Sequence, residues 1–156
     1  MAKLDSSILV QAEQTCRDHG TRLTDKRKQV LSVLLMSKKA LSAYELAEAC
    51  RQEFGIAIPP MSVYRILDFL ASENLVHKLQ LANKYVACSH IACDHAHEVP
   101  QFLICDNCGE VKEIGIKKSL INSLKKGVSE AGFILQSPQL ELHCLCQACA
   151  EHKLEA

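Results

Sequence analysis

Apolar residues recur at helical spacing through residues 6–74, which predicts four amphipathic helices in the first half of the chain. The first stripe ends at Gly20, and Thr24 is the expected N-cap of the second helix. Ser42 and Glu45 have the spacing of a capping box at the start of the third helix, and two prolines suit the first turn of the fourth. The positions expected to face a core are Ile8, Leu9, Ala12, Cys16, Val30, Leu31, Leu34, Leu35, Val63, Ile66, Leu67 and Leu70.

The apolar period then shortens to that of β-strands. The runs "LVHKLQL" and "KYVAC" lie on either side of Ala82 and Asn83, which predicts a hairpin. Helices followed by a small hairpin are typical of a winged helix-turn-helix domain, in which the helix before the hairpin enters the major groove of DNA. We expect such a domain over residues 1–86.

The second half has the pattern of a small α+β unit. Strands are predicted for "QFLIC" and "EVKEI", then a helix over 117–132 and a strand over 133–144 with a break near Pro138. The helix is expected to bury Leu120, Ile121, Leu124 and Val128. The predicted fold class is therefore α+β, with a DNA-binding domain at 1–86, a hinge and ligand loop at 87–100, and a second domain at 101–156.

Composition places the chain among globular proteins, since 48% of its 156 residues are hydrophobic and 23% are charged. The first residues do not have the pattern of a signal peptide, and no apolar run approaches the roughly 20 residues that span a bilayer. We therefore expect a cytoplasmic protein without a membrane partner. Thiols stay reduced in that compartment, so nine cysteines indicate metal binding or catalysis before disulfides.

Charge and cysteine are unevenly distributed along the chain. Residues 1–87 hold 12 basic and 9 acidic side chains, a balance of +3, whereas residues 88–156 hold 6 and 9, a balance of −3. Between Arg17 and Lys39 there are 7 basic and 2 acidic residues. Seven of the nine cysteines lie at or after Cys88. The first half is locally basic and the second is rich in metal-ligand residue types.

Two Cys-x-x-Cys pairs, Cys105 with Cys108 and Cys146 with Cys149, are separated by a span that fits a strand, a helix and a returning strand. Four thiolates from two such pairs complete a closed tetrahedral zinc site that stabilises its fold. A redox role is the alternative, but a thioredoxin-like motif would open a helix in a larger parallel βαβ fold. Cys144 is a competing ligand candidate.

A second concentration of ligand types lies between the two halves, in "ACSHIACDHAHEVPQ", where a plain linker is the alternative to a metal site. His77 in the hairpin and Glu113 after the first Cys-x-x-Cys turn are possible additions. The ligand-type residues of the segment are Cys88, His90, Cys93, Asp94, His95, His97 and Glu98.

The fourth helix carries the expected DNA contacts, with Ser62, Tyr64 and Arg65 near its N-terminal turns. Arginine can form two hydrogen bonds with the edge of one guanine, so Arg65 is expected to contact a base. The alternative for Tyr64 is a structural position in the core. Lys26 and Arg27 are expected to bind phosphates.

With these motifs, the sequence resembles the ferric uptake regulator family, and most closely its zinc uptake regulator branch. "RLTDKRKQVL", "SAYELAEA" and "PPMSVYRILDFL" are similar to its second, third and recognition helices, and "LVHKLQLANKYVAC" and "FLICDNCGEVKE" to the wing and zinc turn. The resemblance covers nearly the whole chain. It implies an N-terminal winged-helix domain, a C-terminal dimerisation domain and a homodimer on an operator in double-stranded DNA.

The resemblance also implies two zinc ions per chain. The structural one is assigned to the four Cys-x-x-Cys thiols. The regulatory one has His, Cys, His and Glu ligands, which fall on His77, Cys88, a histidine of "DHAHE" and Glu113. Of His95 and His97, we choose His97 because it lies nearer the expected spacing.

The sequence therefore predicts a zinc-responsive repressor, not an enzyme, with no small-molecule substrate. The resemblance implies zinc-uptake genes as its targets. A thiolate at Cys88 softens the hinge site and favours zinc over ferrous iron. An iron- or peroxide-sensing regulator of the same family is one alternative. A zinc-held thiol oxidoreductase is the other, and it would need an exposed, reactive Cys-x-x-Cys thiol.

Overall fold

The computed structural model describes residues 5–92 and 99–154 and divides the chain into two compact units, Met1–Cys93 and Asp94–Ala156. The order of helices and strands is that of an α+β protein, as predicted. In chain order the elements are α1 (Ser6–Asp18), α2 (Asp25–Met36), α3 (Ala43–Phe54), α4 (Pro60–Ser72), β1 (Val76–Leu79), β2 (Lys84–Ala87), β3 (Pro100–Cys105), β4 (Val111–Gly115), α5 (Lys118–Glu130), β5 (Glu141–Cys144) and α6 (Gln147–Leu154).

The four helices of the first unit bury one continuous apolar core, which confirms the helical pattern. Its fully buried members include Cys16, Val30, Leu46 and Leu67, one from each helix. Burial of such side chains is the main favourable term in folding. Leu35 packs against this core and Thr24 is the N-cap of α2, as predicted, with two details added by the structure. Leu35 is half-buried while Val33 is buried, and Thr24 occupies the N-cap position of α2 without a side-chain hydrogen bond.

The capping box at the start of α3 is present as predicted. The Ser42 hydroxyl accepts a hydrogen bond from the Glu45 backbone N–H at 3.2 Å, and the Glu45 carboxylate accepts one from the Ser42 N–H at 2.7 Å. Gly55 ends the helix with φ +66°, a conformation that favours glycine. Local sequence alone therefore fixes both ends of this helix.

The hairpin formed by β1 and β2 is the wing of a winged helix domain. The two strands pair antiparallel with His77 opposite Val86, and Asn83 takes a positive φ in the turn. Leu41, between α2 and α3, pairs with Tyr85 through two backbone hydrogen bonds of 3.0 and 2.8 Å. This bridge acts as a one-residue third strand and fixes the wing against the helices.

The second unit is built on a three-stranded sheet of order β4-β3-β5. The central strand β3 is antiparallel to β4 and parallel to β5. Gln101 is completely buried between the strands, donating from Nε2 to the Pro138 carbonyl at 2.8 Å and accepting from the Leu140 N–H. A buried amide with both ends bonded sets the alignment of β5 on β3.

Two expectations about the second unit were wrong. Residues 133–140 are not a strand, and Phe133 and Ile134 are 71% and 85% exposed. Leu120 is exposed too, and α5 buries Ile121 while Leu124 and Val128 stay half-buried. The described residues of this chain therefore leave part of the apolar face of α5 uncovered. Helix α6 is an element that the sequence pattern did not predict.

The first test concerns the capping box. Replacing Ser42 by Ala removes the acceptor for an N-terminal N–H of α3, so we expect the free energy of unfolding to fall by about 1 kcal/mol. Chemical denaturation followed by circular dichroism measures the change. Ser42→Asn is the matched control, because asparagine caps helices as well as serine does. Equal stability of the alanine variant and the parent would contradict the role given to this cap.

Candidate metal centre and nucleic-acid interface

Four cysteine side chains converge at one end of the sheet in the second unit. Cys105 is the last residue of β3, and Cys108 lies in the turn to β4, where Gly109 takes φ +78°. Cys146 follows β5, and Cys149 lies in the first turn of α6. The parallel alignment of β3 with β5 brings the two Cys-x-x-Cys segments to the same sheet end, as the sequence suggested.

The sulfur positions have the spacing of a tetrahedral metal site. All four Sγ atoms lie within 4.8 Å of one another, and the Cys108 and Cys146 sulfurs are 3.8 Å apart. A tetrahedron with zinc–sulfur bonds of about 2.3 Å has sulfur–sulfur edges of about 3.8 Å. Cys105 and Cys149 are buried, while the other two are half-buried. The four thiols therefore fit a closed four-coordinate zinc site.

Hydrogen bonds favour the thiolate form of Cys105. The pKa of the Cys105 thiol is lowered to about 6, because backbone N–H groups of Cys108 and Cys146 donate to its sulfur. Backbone hydrogen bonds from Glu110 and Cys149 act to lower the pKa values of the Cys108 and Cys146 thiols, but hydrogen bonds with neighbouring thiols and burial raise both pKa values on balance. The Asn107 amide donates to the Cys149 sulfur at 3.2 Å. Thiolates are the form that binds metal, so the environment of Cys105 favours ligation.

No disulfide joins the cysteines that the structure describes. The first pair lies in a turn between antiparallel strands, and the second opens the short helix α6. A dithiol oxidoreductase presents one exposed pair, whereas here the two pairs face each other. The arrangement suits metal binding better than thiol exchange.

A second pairing of ligand types lies on the wing of the first unit. His77 is in β1, and Cys88 follows β2, where its N–H donates to the Leu75 carbonyl at 2.9 Å. The His77 ring and the Cys88 sulfur bring ligand atoms within 4.8 Å of each other. The Cys88 sulfur also accepts a hydrogen bond from the His90 N–H at 3.4 Å. Nitrogen and sulfur donors at this spacing are suited to a borderline-soft metal such as zinc.

The other expected ligands of that second site belong to the second unit or fall outside the described residues. Glu113 is on β4 of the second unit, where it pairs with Phe102 across the sheet. His97, its alternative His95, and Cys93 lie outside the described residues.

The start of α4 presents an exposed polar surface, as expected of a recognition helix. Ser62 and Arg65 are exposed, and the neighbouring Met61 is exposed as well. Tyr64 is half-buried and packs against the helical core, so its ring has a structural role whatever it contacts outside. Arg65 has the long, exposed guanidinium that base readout requires.

The two basic residues expected to bind phosphates differ in their surroundings. Lys26 is exposed on α2. Arg27 is half-buried, with its guanidinium 3.6 Å from the ring centroid of Phe69 in α4 and Nη1 donating to the Arg22 carbonyl at 2.6 Å. Arg27 therefore joins the start of α2 to the helix that carries Arg65.

Sequence reasoning missed this stacking contact and helix α6. The helix-favouring "QACAEHKL" after the second Cys-x-x-Cys could have indicated α6. The contact between Arg27 and Phe69 joins residues 42 positions apart, and the local sequence pattern of neither helix predicts it.

Comparisons with known proteins agree with one another. Residues 18–143 match the sequence model of the Ferric uptake regulator family. The chain is 38% identical over 144 residues to the zinc uptake regulation protein of Escherichia coli K12, covering 92% of this chain and 82% of that protein.

Two solved structures are similar over nearly the full length. A zinc uptake regulator complexed with zinc and DNA superimposes with a TM-score of 0.80 at 34% identity, covering 96% of this chain and 97% of that one. The holo form of XcZur gives a TM-score of 0.76 at 36% identity, covering 94% and 99%. Within the part of the chain that the structure describes, no helix is both long and apolar enough to cross a membrane.

The contribution of the Arg27–Phe69 stacking can be tested by measuring the stability of variants. Arg27→Ala removes the cation–π contact and the bond to the Arg22 carbonyl, and we expect unfolding to become easier by about 1 kcal/mol. Arg22→Ala is the control, since it removes an exposed cation nearby but keeps the accepting carbonyl. Thermal and urea denaturation measure both variants. If the two variants lost the same stability, the contact would not be the cause.

Proposed function

The chain belongs to the ferric uptake regulator family, and from that membership we propose that it is a zinc-responsive, DNA-binding transcriptional repressor. The zinc uptake regulators that it resembles support zinc as the effector and an operator in double-stranded DNA as the partner. Zinc-uptake genes are the proposed targets, and the cytoplasm is the proposed location.

The observation that carries the proposal is the His77–Cys88 pair on the wing. One imidazole and one thiolate form a softer donor set than the imidazoles and carboxylates that suit ferrous iron, so this pair favours zinc. We propose that His97 and Glu113 supply the remaining ligands of the regulatory site. Zinc bound there would be held by His77, Cys88, His97 and Glu113 and would cross-link these side chains.

The four thiols of Cys105, Cys108, Cys146 and Cys149 are proposed to hold a second, structural zinc. Their mutual spacing and the N–H groups aimed at Cys105 support this assignment. A closed site of this kind contributes directly to folding free energy. The proposal therefore has two zinc ions per chain with separate roles.

A homodimer is the proposed active form. The second unit leaves Leu120, Phe133 and Ile134 exposed, and β4 and β5 are edge strands in the described sheet. A second copy of the chain would cover such apolar surface, and edge strands are seldom left open. A dimer also has two recognition helices, one for each half-site of a near-palindromic operator.

In the proposed mechanism, Arg65 and Ser62 read bases while Lys26 and the outer edge of Arg27 bind phosphates. Tyr64 supports the helix from the core side and offers its ring edge to the groove. Joining the two units through the regulatory ligands raises the fraction of dimers whose recognition helices fit successive major grooves. A ligand that binds one arrangement better shifts the population by its difference in affinity.

An iron- or peroxide-sensing regulator is the alternative function. The relatives include ferric uptake regulation proteins, such as that of Helicobacter pylori at 30% identity over 146 residues. Competition between zinc and ferrous iron at the Cys88 site separates the two, because the sulfur donor should hold zinc more tightly. Metal content before and after mild chelation, beside an operator-binding assay, tests the proposed function directly.

The two proposed sites should respond differently to loss of a sulfur. Cys88→Ser should leave a folded dimer with about one zinc per chain. Its affinity for the operator should no longer increase when zinc is added, because serine is a poor zinc ligand at neutral pH. His97→Ala should behave alike, and His95→Ala should do so only if His95 is the ligand. Zinc stoichiometry, dimer mass and operator affinity measure the outcome.

Cys105→Ser is the matched comparison for that test. Loss of one of four thiolates should destabilise the second unit and weaken the dimer itself. A Cys88→Ser protein that still switched at the normal zinc concentration would contradict the division of roles. So would a Cys105→Ser protein that remained a stable, responsive dimer.

DNA recognition gives the next prediction. Arg65→Ala should weaken specific operator binding by about 1–3 kcal/mol, the contribution of one bidentate base contact. Lys26→Ala should weaken binding to all sequences and flatten its salt dependence, since it removes a phosphate contact. Fluorescence anisotropy with operator and scrambled duplexes at several salt concentrations measures both. Unchanged sequence preference in Arg65→Ala would rule out α4 as the reader.

A further inference from the structure

Cys144 is a fifth sulfur beside the four-thiol cluster. It is the last residue of β5, and the parallel register places it directly opposite Cys105, the last residue of β3. Residues opposite each other on adjacent parallel strands share a face of the sheet. Both side chains line the same open cavity of about 340 Å³, together with Cys146.

Cys144 differs from the other cysteines that the structure describes. Cys16, Cys50 and Cys88 are buried, and the remaining four belong to the metal cluster. Cys144 is half-buried and borders the cavity, so a small reagent can reach it. With metal bound to the other four thiols, Cys144 would be the one described cysteine of this unit that is both accessible and uncoordinated.

The backbone geometry permits a bond between Cys144 and Cys105. Adjacent strands lie about 4.8 Å apart, and disulfides join residues whose Cα atoms are about 4.4–6.8 Å apart. The register of β3 and β5 therefore brings the two residues within disulfide range without a shift of either strand. The cavity exceeds the roughly 30 Å³ that one water occupies many times over, so it admits a small hydroperoxide.

We propose that Cys144 is an oxidation site, at which hydroperoxides convert the Cys144–Cys105 pair to a disulfide and thereby remove one ligand from the structural metal site. The inference rests on the proposed function, because it assumes a metal at the four thiols. It makes metal binding at the structural site sensitive to oxidation.

The chemistry balances in two steps. The Cys144 sulfur attacks one peroxide oxygen, the O–O bond breaks, and a sulfenic acid forms while the other oxygen leaves as water or an alcohol. The Cys105 sulfur then attacks the Cys144 sulfur, the S–O bond breaks and water leaves. The two sulfurs lose two electrons, which the peroxide gains. Protons come from the thiols, or from solvent where a sulfur is already a thiolate.

The disulfide leaves Cys108, Cys146 and Cys149 as the cluster ligands. Three thiolates hold zinc less tightly than four, so metal should leave as the bond forms. A dithiol reductant should restore the thiols and allow reloading. Oxidation would thus weaken the second unit, and with it the dimer, without any change at the His77–Cys88 pair.

The test uses the full-length, reduced, zinc-loaded protein treated with hydrogen peroxide. Zinc release is followed with a chromogenic chelator, and disulfides are mapped by mass spectrometry. We expect a Cys105–Cys144 disulfide and release about tenfold faster in the parent than in Cys144→Ser, because coordinated thiolates react more slowly than an uncoordinated one. Cys144→Ala is a second variant, and zinc content before oxidation verifies that each still folds and binds metal.

Cys50→Ala is the control, since it removes a buried cysteine of the first unit that belongs to neither candidate metal site, and it should release zinc at the parental rate. The proposal is overturned if Cys144→Ser and Cys144→Ala release zinc as fast as the parent, or if the disulfide joins Cys105 to Cys108 instead. A parent protein with no zinc at the four thiols would refute the proposed structural site. The disulfide map would then still decide whether Cys144 and Cys105 pair.

Discussion

The parallel alignment of β3 with β5 is the constraint on which the second unit depends. Gln101 secures it from a fully buried position, with hydrogen bonds to the backbone at Pro138 and Leu140. A slip of one residue would leave the amide unsatisfied, at about 1–3 kcal/mol, and would turn each β5 side chain to the opposite face. The residues after β5 would move with it, and the two Cys-x-x-Cys segments would no longer meet. One neutral side chain therefore helps to place the second Cys-x-x-Cys pair beside the first.

The two groups of ligand residues suit different thermodynamic roles. The Cys-x-x-Cys pairs lie within one unit, and backbone hydrogen bonds favour the thiolate of Cys105, so metal bound at the four thiols would add to the stability of that unit. The His77–Cys88 pair belongs to a wing already fixed by the Leu41–Tyr85 bridge. Its unit has a complete apolar core of its own. Metal bound at the wing, as in the proposed function, would therefore be free to act as a signal, since this unit does not need it to fold.

Much of this organisation is visible in the sequence, because local rules determine it. The capping box at Ser42, the hairpin turn at Asn83 and the spacing of the Cys-x-x-Cys pairs each depend on a few neighbouring residues. Two of the features that escaped prediction depend on distant residues. The stacking of Arg27 on Phe69 requires the packing of α2 on α4. The apolar run at Phe133 has strand-like composition, but its backbone does not pair within the described sheet, and composition cannot reveal that.

Helix α6 has eight residues, and isolated helices of that length are not stable in water. Cys149 is its buried residue, and the Cys146 carbonyl accepts the first hydrogen bond of its backbone, from Ala150. The helix is thus held at one end by the sulfur cluster, while His152 and Lys153 near its other end are exposed. Local unfolding of the carboxyl-terminal segment is therefore coupled to the state of the four sulfurs. Proteolysis at Lys153 would report on the metal centre from outside it.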